Sequence, residues 1–210
     1  MCKMRCMVFS GELPPGSNHF EADLAQTLGM SRTPVREAAL TMQAQGLVQV
    51  QPRRGIRILP LSADDMADIY EMLGELESLA AGRAAKQGHT KNDLRAAETH
   101  LSNMDAAVGK NDRHTWAKAD EGFHNELVHL GGNKQVIEVV NRYTDQVRRA
   151  RMMTLPLRPL PSQSNEDHRA VLLAIEQGDA QRARDLHRAH RQKVGALLIG
   201  FIRELGLTRL

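Results

Sequence analysis

Aromatic residues are scarce in this 210-residue chain: four Phe, two Tyr and one Trp. That excludes the aromatic-rich strands of an all-β sandwich, and the wealth of Ala, Leu, Glu, Gln and Arg favours helix. Cysteine is scarcer still. Cys2 and Cys6 are the only two, too few for a disulfide framework or a four-ligand zinc site. Four residues apart on a short N-terminal helix, they are expected to pack rather than react, and a reducing cytoplasm suits them. No run approaches the roughly 18 apolar residues of a membrane span. Lys3 and Arg5 stand near the N-terminus with no apolar stretch or small-residue cleavage site behind them, so no secretory signal is expected. The expectation is a cytoplasmic protein without a membrane partner.

What the chain does have is a segregation of charge. Hydrophobic residues make up 41% and charged residues 25%, ordinary for a globular protein. The net charge of +3 is unevenly placed. Residues 1–60 carry Lys3, Arg5, Arg32, Arg36, Arg53, Arg54 and Arg57 against Glu12, Glu21, Asp23 and Glu37, while the remainder is balanced. Eight of the nine histidines lie beyond residue 60. The chain divides into a basic module, 1–60, and a neutral, histidine-bearing module, 61–210.

In the basic module, Gly11, Pro14, Pro15, Gly16 and Ser17 form a loop cluster. A short helix with Leu24, Ala25 and Leu28 inward stops at Gly29. Ser31 caps the next helix, which holds Thr33-Pro34 in its first turn and Val35, Ala38, Ala39 and Met42 on its inner face. Two alternating segments, Leu47–Gln51 and Ile56–Leu59, flank the turn Pro52-Arg53-Arg54-Gly55 and predict a hairpin. A helix-turn-helix followed by a basic hairpin is a winged helix. Ser31, Arg32, Thr33 and Arg36 stand on the first turn of the second helix, the end a recognition helix puts into the major groove. Arg53 and Arg54, with Gly55 turning the tip, suit phosphate or narrow minor-groove contact. Any one of these arginines alone reads as a solvated charge; element order, cap, wing and charge bias together favour DNA.

The runs Gly11–Ser17, Leu24-Ala25, Leu28–Ala38, Gly46–Val48 and Pro52–Gly55 resemble the winged-helix domain of GntR-type bacterial transcription regulators. The resemblance spans residues 10–58. Two departures stand out. Only Cys2 to Phe9 precede the Gly11 loop, where the family has a longer helix, which a misplaced start codon or a weakened module would explain. Ala22 also stands where some members place a DNA-contacting arginine.

Ser62 opens the second module as a helix cap. Helical periodicity then runs almost to the end. Met66, Ile69, Tyr70, Leu73, Leu76, Leu79 and Ala80 form one stripe; Leu94, Ala97, Leu101, Met104 and Val108 a second; Trp116, Phe123, Leu127 and Leu130 a third. Val136, Val140, Tyr143 and Val147 follow, then Val171, Leu172 and Ile175, and last Ala183, Leu186, Val194, Leu197 and Phe201. Six or seven amphipathic helices make an all-α bundle. The fold class expected is mostly α, a winged helix-turn-helix with a small β-hairpin followed by that bundle.

Some polar residues fall on these stripes. Asp120 and His124 are four apart beside Phe123 and Leu127. His168 precedes Val171 by three, and His190 precedes Val194 by four. His168 lies ten residues before Gly178, roughly 15 Å at about 1.5 Å per residue. His190 lies eleven after Asp179, about 16 Å back along an antiparallel partner, so the two are level. His187 sits about a turn nearer the hairpin and fits less well. Asp120, His124, His168 and His190 therefore make a candidate Asp/His₃ metal site, suited to zinc first and also to nickel, manganese or iron. A hydrogen-bonded polar core is the alternative. His89, His100, His114 and His129 read as surface residues.

Residues 62–204 also resemble the FCD effector-binding domain of the fatty-acid-regulator branch of the GntR family. Tyr70-Glu71, Leu76-Glu77, Ala84-Ala85, Asp120-x-x-Phe123-His124, Gly132-Asn133, Glu166-x-His168, Gly178-Asp179 and His190 carry the likeness. It implies a divalent metal on Asp120, His124, His168 and His190, and a small carboxylate effector beside it. Leu73 stands where many members have a pocket arginine, and Arg148 is the substitute expected to take the carboxylate. The expected protein is a transcription regulator controlled by a small organic acid and binding a two-fold double-stranded DNA operator as a homodimer. Two alternatives stay open: a helical metallohydrolase, which lacks a general base beside the ligands, and a regulator with no metal.

Overall fold

The computed structural model describes residues 3–205, and the chain is mostly helical. The N-terminal unit comprises α1 (Lys3–Ser10), β1 (Asn18–His19), α2 (Glu21–Leu28), α3 (Arg32–Ala44), β2 (Val48–Gln51) and β3 (Gly55–Ile58). The strands form an antiparallel sheet ordered β1-β3-β2. Strand β1 was not expected, since two residues are too few to show a period of two. It explains Gly55, which has φ +84 and where a Cβ would meet the His19 carbonyl oxygen at 2.4 Å. Gly29 ends α2 in the left-handed conformation, φ 65 and ψ 38, as expected of a helix-terminal glycine. The core of this unit is apolar, with Met4, Leu24, Val35, Met42, Leu47 and Ile56 at its centre.

Two local expectations fail here. Ser31 occupies the N-cap position of α3 with extended backbone, yet its side chain accepts no capping hydrogen bond. The third helical residue is Pro34, which has no N–H to give. Cys6 is exposed, while Met4 and Val8 fill the inner face of α1. Cys6 is thus out of phase with the buried positions, and Cys2 lies outside the described residues.

Six helices follow: α4 (Ala63–Gln87), α5 (Lys91–Gly109), α6 (Arg113–Leu130), α7 (Lys134–Thr154), α8 (Ser162–Glu176) and α9 (Ala180–Glu204), with a 3₁₀ turn at Leu155–Leu157. Five of the six starts are capped by side chains: Ser62 Oγ accepts from Asp65 N, Thr90 and Asp93 form a reciprocal box, and Asp112, Asn133 and Asp179 cap α6, α7 and α9, while α8 begins after Pro161 without one. Helix α4 runs against α9, α5 against α6, and α8 against α9. No helix among the described residues is long and apolar enough to cross a membrane.

Helix α9 is turned from its expected face. Leu197 is 44% exposed, whereas Ala183, His187, His190, Arg191, Gly195, Leu198 and Ile202 are buried. One residue of phase is about 100° of helix, enough to bring His187 inward. Gly195 permits the close approach of α9 to α4, since a Cβ there would meet the Tyr70 ring at 3.0 Å. Two of the histidines expected at the surface are partly buried. His89 Nε2 donates to the Leu130 carbonyl at 3.0 Å, and the His100 ring packs over Gly122. His114 and His129 are exposed.

Helix α7 joins the two units. Gln146 Nε2 donates to the Gln45 carbonyl at 2.9 Å, and Arg149 Nη1 to the Leu59 carbonyl at 2.7 Å. Arg5 pairs with Asp145 at 3.4 Å, and the Arg148 guanidinium lies 5.5 Å from the Phe9 ring centroid.

Candidate metal centre and nucleic-acid interface

Ser31, Arg32, Thr33 and Arg36 are exposed on the first turn of α3, and Arg53 and Arg54 at the hairpin tip. Arg32, Arg36, Arg53 and Gly55 line one open groove between α3 and the hairpin, whereas Arg54 stands outside it. The tip is a four-residue turn closed by Arg54 N donating to the Gln51 carbonyl at 3.1 Å. Pro52 takes its second position and Arg53 its third, with φ 63. That conformation belongs by preference to Gly or Asn, and holding an arginine in it costs on the order of 1–3 kcal/mol.

The second centre is buried. Helix α6 supplies Asp120 and His124, α8 supplies His168, and α9 supplies His190; their relative exposures run from 1% to 6%. Ligand atoms of His124, His168 and His190 lie within 4.8 Å of one another. His124 Nε2 and His168 Nε2 face each other at 3.2 Å. Asp120 Oδ1 stands 3.3 Å from His168 Nε2 and 3.9 Å from His124 Nε2. The other Asp120 oxygen pairs with Arg151.

Partners on the far edges of two of the rings fix their protons. His168 Nδ1 donates to the Ser164 carbonyl and His190 Nδ1 to Asp167 at 3.1 Å, while His124 Nδ1 lies 3.1 Å from Glu77 Oε2 without a hydrogen bond. Nε2 of His168 and of His190 is thereby left as a bare lone pair, and the proton of His124 stands on either of its edges. Asp120 Oδ1 accepts no hydrogen bond. Burial, the first cause in each case, lowers all these imidazole pKa values: His168 and His190 to about 4, and His124 well below its ordinary value. The rings are therefore neutral near pH 7, the form that ligates a metal. Buried imidazole nitrogens and a carboxylate oxygen converging on one point are costly without a partner, and a divalent cation fits them. The carboxylate or carbonyl behind each ring is the arrangement that orients metal-bound histidine.

Four further residues belong to this centre. Glu77 touches His124 and His187, and His187 Nε2 lies 3.4 Å from His124 Nδ1. Arg191 reaches Glu77 Oε1 at 3.4 Å and stacks 4.7 Å over Tyr70. Arg151 holds Asp120. Glu77 was detectable: it follows Leu73 by four and Tyr70 by seven, on the inner stripe of α4. His187 was detectable only from Leu198 and Ile202, once the phase of α9 is set by them.

Two cavities adjoin the centre. One, of about 160 Å³, is bounded by Asp120, Arg151, Arg158, Ser164, His190 and Lys193 among others. The other, of about 30 Å³, is bordered by Glu77, His124, Arg148 and Arg151 and has room for about one water. Arg148 thus faces the narrow cavity, and its Nε lies 3.6 Å from Glu121.

A winged helix-turn-helix carried on a helical bundle with a buried polar centre defines a DNA-binding transcription regulator. The family model for bacterial regulatory proteins of the gntR family matches residues 1–58, and that of the FCD domain matches residues 68–193. A helix-turn-helix transcriptional regulator from an unstable DNA locus of Streptomyces ambofaciens is 33% identical over 195 residues, covering 91% of this chain and 80% of its own. One encoded in the TAR-I ttuE-ttuC' intergenic region of Agrobacterium vitis is 41% identical over 127 residues, covering 60% and 74%. The solved structure of McbR/YncC from Escherichia coli shares the fold, with a TM-score of 0.77, 23% identity and 93% of each chain covered. The chain belongs to the GntR family, with an FCD domain at its C-terminal side, and is a regulator rather than an enzyme.

Proposed function

We propose that this regulator is metal-dependent and answers to a small organic acid. Residues 1–60 bind a pseudo-palindromic operator and residues 61–210 sense the acid, two chains acting together because one winged unit reads only a half-site. The carrying observation is the convergence of His124 Nε2 and His168 Nε2, 3.2 Å apart, beside the unbonded Asp120 Oδ1. Asp120, His124, His168 and His190 would hold the ion, zinc first and nickel, manganese or iron next. Held there, a metal would supply a Lewis-acidic partner for a carboxylate oxygen. Arg151, Arg158 and Lys193 give the larger cavity positive charge for the rest of the acid, and Arg148 adds charge on the narrower side. At about 160 Å³, that cavity is comparable with one of about 150 Å³ that admits benzene. Ser31, Arg32, Thr33, Arg36, Arg53, Arg54 and Gly55 meet DNA. Helix α7 touches both ends, and a coupling of about 1–3 kcal/mol between acid and operator is the usual scale.

The test is a thermal-shift screen of organic acids on untagged protein, metal-loaded and chelated, followed by operator binding. A ligand at 100 times its Kd stabilises by about 2.7 kcal/mol. The expected hit stabilises the loaded form alone and changes operator affinity only there. Equal response after complete chelation refutes the metal-dependent reading.

A further inference from the structure

The His124 ring has two edges, and the second faces another set of donors. Ser78 Oγ lies 2.5 Å from the Gly74 carbonyl and 3.1 Å from His187 Nδ1. Its single hydrogen goes to the carbonyl, so the hydroxyl accepts from His187 Nδ1–H and leaves His187 Nε2 bare. That atom stands 3.4 Å from His124 Nδ1 and 3.5 Å from Glu77 Oε2, which are themselves 3.1 Å apart. Donors about 2.0–2.1 Å from a tetrahedral ion lie about 3.3–3.4 Å from one another, so these three outline one face of such a site. Glu77 is 3% exposed and His187 1%. Glu77 Oε2 accepts no hydrogen bond, while its other oxygen faces Arg191. Asp120 is arranged the same way, with one oxygen on Arg151 and the other toward imidazole nitrogens.

We propose a second divalent-cation position formed by Glu77 Oε2, His124 Nδ1 and His187 Nε2, alternative to the one at Asp120, His124, His168 and His190. The donor set of two imidazoles and a carboxylate suits zinc or a similar borderline ion. A neutral imidazole carries one proton. With that proton on Nδ1, His124 offers Nε2 to the first position. With it on Nε2, His124 donates toward His168 Nε2 and offers Nδ1 to the second. One ring therefore serves one ion at a time, and each chain holds one ion in either of two places. The second position has its own donors apart from His124, so it stands or falls separately from the proposed effector site.

Cobalt(II) is the probe, loaded into untagged full-length protein after chelation and read by elemental stoichiometry and visible d–d absorption. Folding of each variant is checked by circular dichroism. The His168→Ala/His190→Ala variant should still bind one cobalt per chain, about 10–100-fold more weakly, with a changed band shape. Adding Glu77→Gln or His187→Ala should abolish that binding, as should His124→Ala alone. His168→Gln/His190→Gln replaces the alanine pair if the latter fails to fold. A folded variant lacking His168 and His190 that binds no cobalt overturns the second position. If Glu77→Gln/His187→Ala keeps cobalt in that case, the first position stands alone. If instead only the variant lacking His168 and His190 keeps cobalt, the ion belongs to Glu77, His124 and His187, and the first position fails.

Discussion

The winged unit and the helical bundle handle charge in opposite ways. Among the described residues, every buried polar or charged side chain lies beyond residue 61, from Ser62 to Arg191. The winged unit buries only apolar side chains and keeps Arg32, Arg36, Arg53 and Arg54 in solvent. The bundle buries a network of carboxylates, imidazoles and guanidinium groups between its helices. On the proposed function, stability and recognition fall to different residues in the first unit and to the same residues in the second. Substitution of charge should therefore separate the units cleanly.

The largest single effect is expected at Arg151. Its removal leaves Asp120, 1% exposed, without its cationic partner, and breaking a buried pair costs about 3–5 kcal/mol. Urea unfolding of metal-free Arg151→Ala should show that loss. A loss below about 1 kcal/mol, the scale of an exposed pair, would erase the contrast between the units.

Acid should act on the same unit. The folded pKa values of His168 and His190 are lowered to about 4, against about 6.5 for free imidazole. From about 6.5 down to about 4 the unfolded chain takes up protons that these two folded rings refuse, so their contribution to stability is lost as pH falls across that window, and His124 and His187, lowered well below the ordinary value by burial, add to the loss. Denaturant midpoints of the metal-free protein at a series of pH values would show the slope, and His168→Gln/His190→Gln should make it shallower.

The smallest effect on stability, and the cleanest on function, is expected on α3. Arg32→Ala should cost about 1–3 kcal/mol of specific operator binding if it reads a base. Its unfolding free energy should stay within about 0.5 kcal/mol of wild type. Fluorescence anisotropy with operator and scrambled DNA measures the first and urea unfolding the second. An Arg32→Ala/Arg36→Ala variant with undiminished operator affinity would remove α3 from the interface.

Much of this was legible in the residues because burial repeats with helical period. The stripes of α5 and α6 and the inward placing of Asp120 and His124 follow from such repeats. Periodicity is weakest where the inner face is itself polar. On α9 the buried face contains His187, His190 and Arg191, so a stripe drawn through Leu186, Val194 and Leu197 runs off its centre, while the count of height along the helix set His187 about one turn aside. On α4 the stripe drawn through Leu76 and Leu79 passed over Glu77 and Ser78, which are more deeply buried. The cap at Ser31 failed through chemistry rather than pattern, since Pro34 has no N–H. Strand β1 was too short for any pattern.

The left-handed Arg53 at the hairpin apex has a consequence for recognition. Pro52 has a ring-locked φ, and Arg53 is already held at φ 63. The conformational entropy of shaping this tip is lost during folding, so a partner need not extract it again on contact. Preorganised loops gain affinity in this way. On the proposed function the apex would meet DNA with its backbone already shaped, the fold having absorbed the strain beforehand.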